Sequence, residues 1–116
     1  MTRQVITDGS GSWFDDATAI KFDEDTRWDG NNHISLATGS QWDHQWLYFT
    51  KSEKWVLHGD SQYQGGGESY AIIDDDEAVN WLIQNGYAGR YRAAELEKLP
   101  ANIRDQVNAG IASLEV

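Results

Sequence analysis

The clearest pattern in the sequence is Gln45-Trp46-Leu47-Tyr48-Phe49-Thr50, then Lys51-Ser52-Glu53-Lys54, then Trp55-Val56-Leu57-His58. The outer runs are rich in aromatic and β-branched residues, which favour strands. The four polar residues between them match the length of a hairpin loop, so we predict a β-hairpin. Alternate residues of the first run form two faces, and both are apolar. We therefore expect this strand to lie centrally in a sheet that is covered on both sides.

Shorter extended patterns flank the hairpin. They cover residues 4–7, 13–14, 19–22, 33–38 and 69–73. Asp29-Gly30-Asn31-Asn32 predicts a turn, because Gly and Asn tolerate positive φ. The polar segment before it, residues 23–28, is predicted to be a loop.

The C-terminal third has a helical period. Asp74-Asp75-Asp76-Glu77 predicts a helix start with Asp74 as N-cap. Asn85-Gly86-Tyr87 predicts its end, with Gly86 in the left-handed conformation. Residues 91–99 fit a second helix, with Ala94, Leu96 and Leu99 as its buried positions. A further amphipathic helix follows Pro100, and its apolar positions are Ile103, Val107, Ile111 and Leu114.

The order of these elements predicts the fold class. Strands come first and helices follow, which favours α+β over α/β. We predict a twisted antiparallel sheet of four to six strands followed by two or three C-terminal helices packed on one face. Residues 1–116 then form a single domain, with 1–73 mainly β and 74–116 mainly helical. A small closed barrel with appended helices is the alternative architecture.

Composition narrows the functional classes. The chain has 116 residues, no cysteine and a formal net charge of -10. Direct contact with nucleic acid is disfavoured, because phosphates require clustered Lys and Arg, and an anionic membrane is disfavoured for the same reason. The absence of cysteine fits a cytoplasmic protein. Acid clusters at 15–16, 23–25 and 74–77 are expected in solvated loops and helix starts, or on a face that docks a basic protein, as nucleic-acid mimics do. Binding of a divalent cation is the third interpretation of these clusters.

Candidate chemistry centres on the histidines. His33, Asp43, His44 and His58 could gather on a compact sheet, and such groups suit a metal. The pairs Asn32-His33 and Asp43-His44 resemble part of the His-Asn-His nuclease pattern. In that family, however, the Asp-His pair comes first, whereas here it comes second. We therefore assign no catalytic residue and expect neither a cofactor nor a resident metal.

The tryptophans suggest where recognition occurs. Trp28 and Trp42 adjoin predicted turns, and loops beside a rigid sheet concentrate binding residues. The predicted binding residues are Trp28, Asp29, Asn31, His33, Trp42, Asp43 and His44. The function we expect is a small acidic, non-enzymatic module that binds a protein with a basic surface. The alternatives are a small metal-dependent hydrolase or nuclease that uses His33 and His44, and a small-molecule binder with an aromatic-lined pocket.

Two motifs also carry a resemblance. The chain contains Trp28-Asp29-Gly30-Asn31-Asn32-His33-Ile34-Ser35 and Thr38-Gly39-Ser40-Gln41-Trp42. With further matches between Gly11 and Tyr87, it resembles a group of small uncharacterised bacterial proteins. The resemblance implies a bacterial, cytoplasmic protein, and it brings no catalytic or binding residue.

Overall fold

The computed structural model describes residues 3–7, 9–36, 38–39, 43–61, 67–87 and 93–113. Their elements, in chain order, are β1 Arg3–Val5, β2 Trp13–Asp15, β3 Ile20–Asp23, β4 Thr26–Trp28, β5 His33–Ser35, β6 Asp43–Phe49, β7 Trp55–Ser61, β8 Glu68–Ile73, α1 Asp75–Gln84, a 3-10 helix Ala93–Lys98, and α2 Ala101–Ser113.

The strands form one main sheet and two ribbons. The main sheet is antiparallel in the order β3-β6-β7-β8, while β1 pairs with β2 and β4 with β5. The β6–β7 hairpin runs in register from Phe49 opposite Trp55 to Asp43 opposite Ser61. Helices follow the sheet along the chain, so the predicted α+β class is confirmed.

Apolar side chains cover both faces of β6, as its sequence predicted. Leu47 and Phe49 lie in a cluster with residues of both α-helices, including Leu82 and Val107. Tyr48 lies on the other face, in a cluster whose other buried members are Ile6, Phe14, Val56 and Tyr70. The β1–β2 ribbon thus covers the face that the helices leave free.

The outer edge of β8 is partly closed by Thr7. The Thr7 backbone N–H donates to the Tyr70 carbonyl at 2.8 Å. The Thr7 hydroxyl oxygen lies 3.0 Å from that carbonyl and 3.1 Å from the Tyr70 nitrogen. The unpaired backbone groups of an edge strand can form hydrogen bonds with strands of other chains. In the middle of β8, Thr7 forms hydrogen bonds with these groups at Tyr70.

Helix α1 has the predicted ends. The Asp74 carboxylate accepts a hydrogen bond from the Glu77 N–H at 2.8 Å, as an N-cap does. At the other end, Gly86 has φ +85°. Its N–H donates to the Ile83 carbonyl, and the Tyr87 N–H donates to the Leu82 carbonyl. This pair of bonds is a Schellman motif, which satisfies carbonyls that a helix end leaves free.

Four details differ from the sequence-based prediction. The strand predicted within residues 33–38 ends at Ser35. Residues 26–28, predicted to be loop, form β4, because they pair with β5 across the Asp29–Asn32 turn. The segment 93–98 is a 3-10 helix and not an α-helix. Leu96 within it and Leu99 just after it are buried, and their spacing of three suits three residues per turn. Ala94, predicted to be buried, is exposed.

The α1–α2 contact explains a glycine inside α2. A Cβ at Gly110 would lie 3.1 Å from Val79 Cγ2 of α1, which is closer than side chains normally approach. The two helices therefore meet where one of them has no side chain. Ile103, Val107 and Ile111 of the predicted stripe pack on the core, and Leu114 lies outside the described residues.

Replacing Gly86 with Ala should destabilise the fold. A Cβ in the left-handed region costs about 1 kcal/mol. Asn tolerates this conformation better than Ala, so Gly86→Asn is the matched control and should lose less. Thermal or urea unfolding of the three proteins measures the difference. Equal stability of wild type and Gly86→Ala would show that this glycine does not end the helix.

Candidate functional site

The β4–β5 hairpin carries four of the predicted binding residues. The Asp29 carboxylate accepts hydrogen bonds from the backbone N–H groups of Asn31 at 2.8 Å and Asn32 at 2.7 Å. Gly30 takes the positive φ, at +104°. The bonds from Asn32 and Asn31 hold the pKa of Asp29 below its ordinary value. The carboxylate is therefore charged at neutral pH in a turn of defined shape.

Trp28 lies beside this turn and is 60% exposed. Its ring centroid is 5.1 Å from that of His33, directly across the ribbon. Trp28, Asp29, Asn31 and His33 thus come together at one hairpin tip. Trp42 lies outside the described residues.

The end of α1 holds the base of this hairpin. The Asp25 N–H donates to the Asn85 side-chain oxygen at 2.8 Å, and the Tyr87 hydroxyl donates to the Asp23 carbonyl at 2.8 Å. Asn85 is fully buried and donates its side-chain N–H to the Trp81 carbonyl. A polar contact on each side of Glu24 therefore joins the chain entering β4 to the helix.

His44 contacts Glu24 and not the hairpin tip. His44 Nδ1 lies 2.7 Å from Glu24 Oε1, and the Gln45 N–H donates to the same oxygen at 3.3 Å. The Glu24 side chain is only 8% exposed. The expectation that residues 23–25 are simply solvated is therefore wrong for Glu24. Its carboxylate ties β6 to the segment between β3 and β4.

Asp43 lies at the start of β6. Its carbonyl accepts a hydrogen bond from the Thr38 hydroxyl at 2.7 Å. Asp43, His44 and Asp60 line a shallow polar cleft of about 170 Å³. His44 contacts Glu24, and the Asp43 carbonyl accepts from Thr38, and both of these partners lie outside the 28–33 tip.

His58 belongs to an aromatic stack. Its ring lies 4.2 Å from that of Tyr70, with an interplanar angle of 11°, and 4.8 Å from that of Trp46. Its Nε2 lies 3.4 Å from Glu68 Oε1 without hydrogen-bond geometry. Burial raises the pKa of Tyr70 to about 12, so its phenol stays neutral. Within the described ranges, no three His, Asp or Glu side chains are placed to hold a metal ion.

A groove beside Trp13 was not predicted. Trp13 is half exposed, whereas Phe14, its neighbour in β2, is buried. Both line a groove of about 630 Å³ between the β1–β2 ribbon and the loop after β6. The strand alternation of Trp13 and Phe14 could have indicated that one ring faces out. It could not have indicated that the exposed ring meets the loop at residues 50–52.

Comparison with protein families, curated proteins and solved structures gives no match to this chain. Among the residues that the structure describes, no helix has the length and apolar character needed to span a membrane.

Removing His44 should destabilise the fold more than removing His33. His44→Ala removes the closer of the two hydrogen-bond partners of the buried Glu24 carboxyl and leaves only the longer bond from the Gln45 N–H, which costs about 1–3 kcal/mol. His33→Ala alters an exposed position and should cost about 0.5 kcal/mol or less. Urea unfolding of both variants measures the contrast. If His44→Ala unfolds like wild type, the Glu24 contact contributes nothing to the fold and His44 is available for chemistry.

Proposed function

We propose that this chain is a small acidic, non-enzymatic module that binds a protein partner with a basic surface, and that it does so through the β4–β5 hairpin tip. The observation that carries the proposal is the 60% exposed indole of Trp28 beside the charged carboxylate of Asp29.

The chemistry of this pair suits Arg or Lys. An indole face attracts a cation by about 0.5–1 kcal/mol at an exposed site. A carboxylate accepts charge-assisted hydrogen bonds from the same cation. Because Asp29 is held by two backbone N–H groups, its carboxylate is already oriented before a partner arrives. A preordered group loses less conformational entropy on binding.

The charge of the chain favours the same partner. The net charge of -10 attracts a basic protein and raises the association rate, an effect that is largest at low ionic strength. Near the hairpin, Asp23 is the last residue of β3 and Asp25 precedes β4. Asp23 is 3.9 Å from Lys21, an exposed pair that neutralises one local charge. Asp25 and Asp29 lie at the base and at the tip of the ribbon.

The hydrolase or nuclease alternative has less support from the geometry. It requires His33 and His44 at one reaction centre. His33 contacts Trp28, and His44 contacts the buried Glu24. Two histidines with different neighbours and different burial suit separate structural roles.

Affinity purification with Trp28→Ala tests the proposal. Proteins captured from the native host by wild type should be reconstituted from purified components, and their affinity measured. Loss of a central aromatic contact should weaken binding by at least about thirtyfold, which corresponds to about 2 kcal/mol. Asp29→Asn keeps the turn acceptor but removes the charge, so it should weaken binding less and reduce its salt dependence.

Thr26→Ala is the matched control, since Thr26 is exposed on the same strand. It should bind as wild type does. Trp28→Ala should retain the wild-type melting temperature, because the ring is exposed. Equal affinity of wild type and Trp28→Ala for every reconstituted partner would contradict the proposal, as would a partner surface without excess Lys or Arg.

A further inference from the structure

A second surface combines exposed apolar groups. The large apolar side chains exposed in the described residues are Val5, Trp13, Trp28 and Ile72. Val5 lies opposite Trp13 in the β1–β2 ribbon. Trp13 and Ile72 line one hollow of about 260 Å³. Apart from Trp28, the exposed large apolar groups of the described chain therefore share one surface.

That hollow adjoins the larger groove. The two share Trp13, Phe14, Thr50 and Ser52 as lining residues. The shared residues come from β2 and from the loop after β6, so the combined groove runs between these elements. Contiguous exposed apolar surface of this kind marks interaction sites more often than isolated apolar residues do.

Basic groups surround the groove in an acidic chain. Lys51 and Lys54 line it, and in the described part of the chain neither has an ion-pair partner. The Arg3 guanidinium lies over the Trp13 ring, 4.3 Å from its centroid. Only nine of the 116 residues are Lys or Arg, against nineteen Asp or Glu. Three cations at one groove are thus a local departure from the overall charge.

Asp15, which also lines the larger groove, and its neighbour Asp16 both accept local hydrogen bonds. Asp15 Oδ1 accepts from the Ala17 N–H at 3.0 Å. Asp16 Oδ2 accepts from the Gln4 side-chain N–H at 3.0 Å. Both carboxylates therefore already have a local partner, whereas within the described residues neither lysine forms an ion pair.

The loop that carries the lysines contains a strained residue. Glu53 has φ +63° and is the one non-glycine with positive φ in the described chain. The Glu53 N–H donates to the Thr50 carbonyl and the Thr50 N–H to the Lys54 carbonyl. This is a short hairpin loop with a left-handed position where glycine is preferred. Strained residues concentrate at functional sites.

We propose that this groove binds an acidic segment of a partner protein, anchored by one bulky apolar side chain. The anchor lies against Trp13 and Phe14, and acidic side chains meet Lys51 and Lys54. The other acidic residues of the chain do not prevent the binding of an acidic segment, because interactions between exposed charges are screened beyond about 8 Å at physiological ionic strength. The surface is separate from the β4–β5 hairpin, so this inference stands whether or not Trp28 binds a partner.

Three synthetic peptides test the groove by amide NMR titration. The probe is acetyl-Glu-Glu-Trp-Glu-Glu-amide. Its controls are the same peptide with four lysines in place of the glutamates, and with alanine in place of the tryptophan. We expect the probe to shift signals of Trp13 and residues 50–54. It should bind at least about tenfold more tightly than either control, as expected for loss of about 1.4 kcal/mol.

Variants of the groove residues distinguish binding at this site from nonspecific binding of the peptide elsewhere on the protein. Trp13→Ala and Lys51→Glu should each weaken the probe by at least about fivefold, a loss of about 1 kcal/mol. Arg104→Glu, a matched charge reversal on α2, should leave affinity unchanged. Dispersed spectra of all variants show that they are folded.

Four results would overturn the inference. The first is no binding of the acidic probe, and the second is equal binding of the acidic and basic peptides. The third is a concentration-dependent shift of residues 50–54 without peptide, which would assign the groove to a second copy of this chain. The fourth is equal binding of the probe and the alanine peptide, which would show that no apolar side chain anchors the segment.

Discussion

The buried side-chain amide of Asn85 connects the two halves of this fold. Its oxygen accepts the Asp25 N–H, and its nitrogen donates to the Trp81 carbonyl. An unsatisfied amide at a fully buried position would cost several kcal/mol. Both hydrogen bonds of the amide therefore form only when the end of α1 and the segment after β3 lie against each other as they do here. Gly86 makes that meeting possible, because its left-handed conformation returns Tyr87 toward Asp23.

This junction gives each residue of 23–25 a different structural role. Asp23 and Asp25 use backbone groups to bind Tyr87 and Asn85, and Glu24 uses its side chain to bind His44. The base of the β4–β5 ribbon is thereby fixed to both the sheet and the helix. The tip remains in solvent with Trp28 exposed. A ribbon held at its base and open at its tip can present a side chain without rearranging the core.

Much of the fold could be predicted because its signals are local. The β6–β7 hairpin follows from alternation and a polar loop, and the ends of α1 follow from Asp74 and Gly86. The burial of Glu24 could not be predicted, because it depends on His44, which is twenty residues away in sequence. The strand β4 has no apolar alternation of its own and forms through pairing with β5.

The candidate surfaces, too, could be predicted only where their residues are close together in sequence. Trp28 and its neighbours lie together around the turn at 29–32, because turn chemistry is local. Asp43 and His44 were expected on the same surface because a compact sheet could gather them, whereas His44 contacts Glu24 and the Asp43 carbonyl accepts from Thr38. The groove at Trp13 joins β2 to the loop after β6. Its cations come from β1 and from that loop, so no single stretch of sequence contains its pattern.

The contact of Thr7 with β8 has a practical consequence. Thr7 occupies the Tyr70 backbone groups that would otherwise face solvent at the sheet edge. An exposed edge of apolar sequence pairs readily with other chains. An N-terminal fusion that pulls residues 3–7 from the sheet would thus promote association through β8.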